Sequence, residues 1–214
     1  MSSKLKRKSK PLEPYGYSKK ELAYIENLSK QNRKADNLIE ESYLNIKLIA
    51  YQILHDKFGF GKKRIDRVES TIDTYLKGAA VDSMTEDELE FLLKEKSNID
   101  VRYEANLIPF REQFYLLTKK VKPADMQKQG KLLNASIINF FALLGVCLKT
   151  QFKFSARQIK EVYEHIRSYI NTLSRYKEFL LKIEHIAESV ALECGFVDER
   201  FARKEGGEDG TINI

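Results

Sequence analysis

Residues 58–76, FGFGKKRIDRVESTIDTYL, and residues 152–170, FKFSARQIKEVYEHIRSYI, align without a gap at an offset of 94 positions. Six of the nineteen positions are identical: Phe58/Phe152, Phe60/Phe154, Ile65/Ile159, Val68/Val162, Ile72/Ile166 and Tyr75/Tyr169. Leu54 and Leu148 extend the match backwards. Unrelated stretches of this length share about one identity. Any amphipathic helix supplies part of the apolar agreement. An aromatic-x-aromatic break in the same register is more specific. Each segment reads as helix, break, helix. The sequence therefore predicts an all-α fold of about seven helices in a bundle, with two pseudo-repeated helix-turn-helix-like units.

The 3-4 spacing of apolar residues carries this reading along the chain. It predicts helices over 19–31, 36–57 and 62–77, with Gly78 as a left-handed terminator. Ser18 and Thr85 each open a capping box, the second leading a short helix that ends near Ser97. Residues 110–121 read as a further helix behind Pro109. Residues 132–151 are apolar all round, as a central core helix is. Ser155 and Gln158 form a third capping box, followed by helices over 156–170 and 173–194 that end at Gly195. The expected organisation is a basic disordered arm (1–17), an N-terminal helical unit (18–122), a C-terminal unit packed on it (123–202) and a disordered tail (203–214).

A turn between two such helices has the grammar of a helix-turn-helix. In the first copy the second helix opens with Lys62, Lys63 and Arg64 and continues to Arg67; Arg157 holds the matching place in the second copy. Basic side chains at a helix start reach phosphates and base edges. Two positions depart from the motif. His55 and Lys149 stand four before the turn, where a small residue lets helices approach, and Lys153 replaces the turn glycine. The bland reading is a helical hairpin whose phenylalanines plug the core while its charges are solvated.

Charge is concentrated at the front. The 214 residues carry 37 basic and 31 acidic side chains, net +6. Residues 1–20 hold seven of the basic ones and a single acid, so the rest of the chain is balanced. The arm residues Lys4, Lys6, Arg7, Lys8 and Lys10 are candidate phosphate contacts whose affinity falls as salt rises. A solvated, solubilising terminus is the plain alternative.

Several chemistries lack a signature. Two cysteines, Cys147 and Cys194, make neither a disulfide framework nor a zinc site, and a reducing cytoplasm is expected. His55, His165 and His185 fall in separate helices, outside any metal-binding motif, and the adjacent His55 and Asp56 side chains are expected to diverge. FGFGKK could cradle a phosphate at a helix start, but no strand precedes it. Nothing converges on an enzyme, a cofactor or a metal, and no secretory signal or membrane span is expected.

The stretch ILHDKFGFGKKRIDRV, Ile53 to Val68, with ELEFLLKEKSNID, Glu88 to Asp100, resembles short helical proteins recurring in phages and mobile elements of low-GC Gram-positive bacteria. The resemblance covers about a quarter of the chain. It implies an accessory or regulatory gene product. Two functions follow as expectations. One is a non-enzymatic nucleic-acid-binding protein, with DNA favoured over RNA, working through the arm and the helix-turn-helix-like unit. The other is a helical protein–protein interaction module, such as an inhibitor or scaffold acting on a host protein. A homo-oligomer is compatible with both.

Overall fold

The computed structural model describes residues 19–80, 86–118 and 121–201. The arm, the tail and the capping residues Ser18 and Thr85 lie outside the described residues. The described chain is all α-helical, without a strand. In order it comprises α1 (Lys19–Phe58), α2 (Lys62–Ala80), α3 (Glu86–Ser97), α4 (Val101–Asn106), α5 (Met126–Gln151), α6 (Ala156–Ser174), α7 (Tyr176–Phe179) and α8 (Ile183–Cys194), with 3-10 turns at Glu112–Leu116 and Pro123–Asp125. The described residues divide into two compact units, one up to Asn37 and one from Leu38 onward. The first contributes the leading part of α1, on which Asn32, Arg33, Lys34, Asp36 and Asn37 are exposed. The second holds the core.

The core is built on the C-terminal half of α1 and on α5. Asn45 to Leu54 and Phe140 to Leu148 are buried without interruption, so both helices are enclosed on every side. Among the described residues, Pro123–Gln151 is the one helix long and apolar enough to cross a membrane, and 67% of its apolar window is buried inside the protein. It packs against α2, α3, α4 and α6 as a core helix. The outer helices α2 and α6 present matching stripes to it: Ile65, Val68 and Ile72 in one, Ile159, Val162 and Ile166 in the other, all fully buried.

The repeat is a structural one, and its contacts are reciprocal. Phe58 meets Phe154 with ring centroids 5.1 Å apart, and Phe152 meets Phe60 at 4.8 Å. Phe60 and Phe154, equivalent to each other, are in edge contact at 5.9 Å. The Tyr75 hydroxyl lies 3.1 Å from Thr150 Oγ1, and the Tyr169 hydroxyl donates to Asp56 Oδ2 at 3.2 Å, each pair mapping onto the other at the 94-residue offset. Contacts of the form i with j and j with i are those a two-fold axis generates. A pseudo-two-fold axis therefore relates 38–76 to 132–170. The identities extend upstream in the same register, through Leu38/Leu132, Ser42/Ser136 and Asn45/Asn139.

Several elements differ from the expectation. The helices expected over 19–31 and 36–57 are one, because no glycine or proline interrupts residues 19–57 and the polar stretch between them suits an exposed helix. Gly78 lies inside α2. In place of the helix expected over 110–121, a 3-10 turn runs over Glu112–Leu116 and Leu117 beyond it is extended. The Asn45 amide donates to the Leu116 carbonyl at 2.8 Å, and the amide of buried Gln113 donates to the Ile108 carbonyl at 3.2 Å. These side chains occupy carbonyls that a continuing helix would use. The short α4 went unread, although Asp100 caps it by accepting from the Tyr103 amide at 3.0 Å. α5 starts six residues before Leu132. Gly130 belongs to it because the Phe110 ring occupies the space a Cβ would take. The span 173–194 breaks at Arg175 and again at Leu180, which adopts a left-handed φ of 54°. Ser155 forms its capping box and Gly195 closes α8 in the left-handed conformation, as read from sequence.

Candidate functional site

The two breaks share one backbone solution. The Phe60 amide donates to the Leu54 carbonyl at 3.0 Å, and the Phe154 amide to the Leu148 carbonyl at 3.1 Å. Each bond reaches back six positions across a left-handed residue just past the helix end, the conformation that closes αL-type helix caps. Gly59 fills that position at φ 65° and Lys153 at φ 60°. The new helices start at once, the Ile65 amide reaching the Gly61 carbonyl and the Ile159 amide the Ser155 carbonyl, each at 3.1 Å. Phe60 is buried at 2% exposure, whereas Gly59 and Gly61 are exposed with open space above them. The phenylalanines thus turn inward against their counterparts and leave the corner backbones facing solvent.

The interlocked rings set the two corners against each other. Lys62, Lys63, Arg64 and Arg67 are exposed at the start of α2, with Lys57 before them; Lys153, Arg157 and Lys160 are exposed around the start of α6, where Arg157 and Lys160 line a groove with Asn98, Glu161 and Glu164. Residues 56–67 carry five basic and two acidic side chains, and 150–161 three basic and one acidic. Arg64 stands over the Phe60 ring, 5.4 Å from its centroid. Lys62 Nζ is 3.2 Å from Asp66 Oδ1 and 3.3 Å from the Gly195 carbonyl oxygen, so it leans towards the end of α8. Asp66 thus offsets one charge on this face. Glu69 does not, because its carboxylate turns inward. Positive charge and helix N-termini together attract anions. The arm residues Lys4, Lys6, Arg7, Lys8 and Lys10 lie outside the described residues. The corner also differs from a paired helix-turn-helix. Half-sites read by two such helices lie about 34 Å apart, whereas these two corners touch.

Inside, the two copies have parted chemically. In the first, Lys47 Nζ lies 2.7 Å from Glu69 Oε1, and the Tyr51 hydroxyl donates to Glu69 Oε2. Lys47 is 8% exposed and Glu69 26%. At the matching positions of the second copy, Phe141 and Tyr163 stack with centroids 4.3 Å apart, and Gly145 stands in place of Tyr51. Burial, aided by the nearby Glu69 charge, pushes the Tyr51 phenol well above its ordinary value. The segment after α8 closes over this group: Phe196 meets the Tyr51 ring at 5.0 Å and lies 5.1 Å from Lys47 Nζ.

The structure also gathers residues that the sequence scatters. His55 and Asp56 do not diverge; with Glu193 from α8 their ligand atoms all lie within 4.8 Å of one another. An i, i+1 pair points apart on a bare helix, but rotamers leaning toward a shared neighbour bring the tips together. Gln52, 7% exposed, donates its amide to Asp56 Oδ1 at 2.9 Å and to Glu193 Oε2 at 3.1 Å. Glu193 and Gln52 escaped the sequence reading because 141 residues separate them. Lys47 and Glu69 had a signal: they are the positions at which a charge in one copy matches an aromatic ring in the other.

A cavity of about 830 Å³ is lined by Phe114, Tyr115, Leu117, Val121, Leu173 and Ile183, with Arg111 and Glu184 among its polar neighbours. Both thiols are buried; burial pushes Cys147 up to about 12, and burial with the Glu193 and Asp56 charges pushes Cys194 up to about 11. Neither is a thiolate nucleophile at neutral pH. No protein-family model, curated protein or solved structure matches this chain.

Proposed function

We propose that the protein binds nucleic acid without catalysing a reaction, as an accessory or regulatory factor of the phage type that its central segment resembles, in the cytoplasm. One observation supports this reading: the FGFG and FKFS corners are in contact through their rings, and each is followed by an exposed basic helix start. Lys62, Lys63, Arg64 and Arg67 from one copy and Arg157 from the other supply cations, and the exposed turn backbones let a phosphate chain approach. The contact is with the sugar-phosphate backbone over one short stretch, not with two half-sites, because the corners are in contact. DNA is favoured over RNA, and the arm adds a salt-sensitive tether.

Fluorescence anisotropy with a labelled duplex, titrated across salt, tests the reading. Log affinity falls linearly with log salt, and the slope reports the phosphates neutralised. The K62A/K63A/R64A variant binds at least tenfold more weakly with a shallower slope and an unchanged thermal transition. Absence of binding to duplex and single strands at about 50 mM salt removes the proposal.

A second reading has its own observation. The apolar cavity beside Phe114 and Tyr115, with exposed Phe110, Phe179 and Leu180 on nearby stretches of chain, suits a helical module that engages a host protein. It predicts that Tyr115→Glu abolishes a partner's binding while leaving nucleic-acid affinity intact.

A further inference from the structure

We infer that His55, Asp56 and Glu193 form a site for one divalent transition-metal ion, clamped between the end of α1 and the end of α8. The site is independent of the nucleic-acid reading. The three side chains offer one imidazole nitrogen and two carboxylates, with ligand atoms mutually within 4.8 Å. Ligands on one first-row ion, with bonds of about 2.0–2.2 Å, lie at most about 4.4 Å apart, so small rotamer adjustments close the three onto an ion. The mixed donor set favours zinc and its neighbours over calcium or magnesium, which prefer oxygen alone. Asp56 and Glu193 are exposed and His55 half-buried, so an ion enters directly from water.

Three features beyond proximity support the site. First, His55 Nδ1 lies 2.9 Å from the Phe60 carbonyl oxygen. A carbonyl only accepts, so Nδ1 carries the proton and donates. The ring is thereby held with Nε2 directed at Glu193, 3.6 Å from Oε2. A hydrogen bond from one ring nitrogen to a backbone carbonyl is how ligating histidines are oriented and kept in the metal-binding tautomer. The carbonyl belongs to the rigid corner, so the fold itself sets the ring.

Second, Gln52 is more than nine-tenths buried, yet its Oε1 has no hydrogen-bond partner among the described residues. Its amide nitrogen reaches both carboxylates. Exchanging the two ends of the amide leaves one end without a partner either way. What decides the orientation is therefore the charge between Asp56 and Glu193. Without a cation the amide N–H groups face the carboxylates; with one, the oxygen turns in and becomes a fourth donor.

Third, the pseudo-two-fold axis supplies an internal contrast. The positions matching His55 and Asp56 are Lys149 and Thr150. Thr150 Oγ1 contacts Tyr75 just as Asp56 contacts Tyr169. The scaffold is the same, but the ligands are absent.

The test is zinc titration of the full-length, tag-free protein against a chromophoric chelator, with cobalt as a spectroscopic substitute. The expected result is one equivalent of zinc with a dissociation constant of 10 µM or tighter. His55→Ala and Glu193→Gln each weaken it at least tenfold, while Lys149→Ala leaves it unchanged. Cobalt gives d–d bands without the intense thiolate charge-transfer band that ligation by nearby Cys194 would produce. Glu193 is an exposed residue, so its variant keeps the test decisive should His55→Ala fail to fold. No stoichiometric binding at 100 µM zinc, either folded variant retaining parental affinity, or a thiolate band overturns the inference.

Discussion

Ser42 Oγ donates a 2.9 Å hydrogen bond to Ser136 Oγ, the residue that corresponds to it in the other half of the molecule. Both serines are buried, and Ser136 in turn donates to the Ile39 carbonyl at 3.3 Å, which also lies 2.9 Å from Ser42 Oγ. Together with the Phe60–Phe154 contact, this marks two points at which the pseudo-two-fold axis passes through touching equivalent residues. The central helices α1 and α5 are held at one level by a polar contact and at the other by aromatic rings.

The two left-handed corners differ in what they cost. Gly59 occupies the left-handed region freely, whereas Lys153 carries a Cβ there. Gly59→Ala destabilises the protein by about 1 kcal/mol despite the open space above it, because the strain is in the backbone. Lys153→Gly stabilises by about 0.5 kcal/mol, the relief of strain being partly offset by the freer unfolded chain. Urea midpoints of the two variants move in opposite directions; parallel shifts would count against the shared corner geometry.

The Lys47–Glu69 pair tests how replaceable a buried ion pair is. Glu69→Ala leaves Lys47 enclosed without its counter-ion and costs about 3 kcal/mol, at the lower end of the usual range because Glu69 is partly exposed. The triple substitution Lys47→Phe, Tyr51→Gly, Glu69→Tyr copies the stacked arrangement of Phe141, Gly145 and Tyr163. It lies within about 1 kcal/mol of the parent, since well-packed apolar groups often replace such pairs at no loss. Denaturant unfolding of both variants reads the contrast. A triple variant less stable than Glu69→Ala would mean the halves are not interchangeable.

Gly145 is required by close approach. A Cβ there would lie 2.2 Å from the Tyr163 hydroxyl oxygen and 2.9 Å from Leu93 Cδ1. The hydroxyl is fixed by its 2.5 Å bond to the Phe141 carbonyl, so it yields little. Gly145→Ala therefore destabilises by about 2 kcal/mol through overpacking. The additional change Tyr163→Phe recovers part of that loss, as thermal melts of the single and double variants will register.

Stability falls on the alkaline side. Cys147 is pushed up to about 12 from 9.0, Cys194 to about 11 from 9.0, and Tyr169 to about 12 from 10.0, each chiefly by burial. Above pH 9 the unfolded chain therefore releases protons that the folded chain keeps. The folded state then binds more protons than the unfolded one, and stability drops as pH rises through the window from 9 to 12. Below pH 9 these groups contribute no slope. Urea midpoints at pH 8.0, 9.5 and 10.5 check this, with a thiol reagent that stays unreactive until the protein unfolds.

Much of the fold was legible because the repeat carries its own register. Phe58, Phe60 and their counterparts located both corners, and Ile65, Val68 and Ile72 located the buried face of α2. What stayed hidden depends on contacts across long sequence gaps. The turn over 112–116 follows from Asn45 capturing a carbonyl 71 residues away. Gly130 sits in a helix because of Phe110, and Leu180 breaks one for no reason visible in its neighbours. At the candidate sites, the exposure of Lys62, Lys63, Arg64, Arg67 and Arg157 followed from helical periodicity. The approach of Glu193 to His55 did not, because α8 has no counterpart in the repeat.

A residue that touches its own twin ties two lineages of mutation together only while both come from one coding stretch. In an assembly of identical subunits, replacing Lys47 or Glu69 alters the same place twice. Once both halves are read from a single open frame, each changes alone. The exchange of an ion pair for stacked rings beneath one helix, and of His55 and Asp56 for Lys149 and Thr150, is the divergence that such separate inheritance permits.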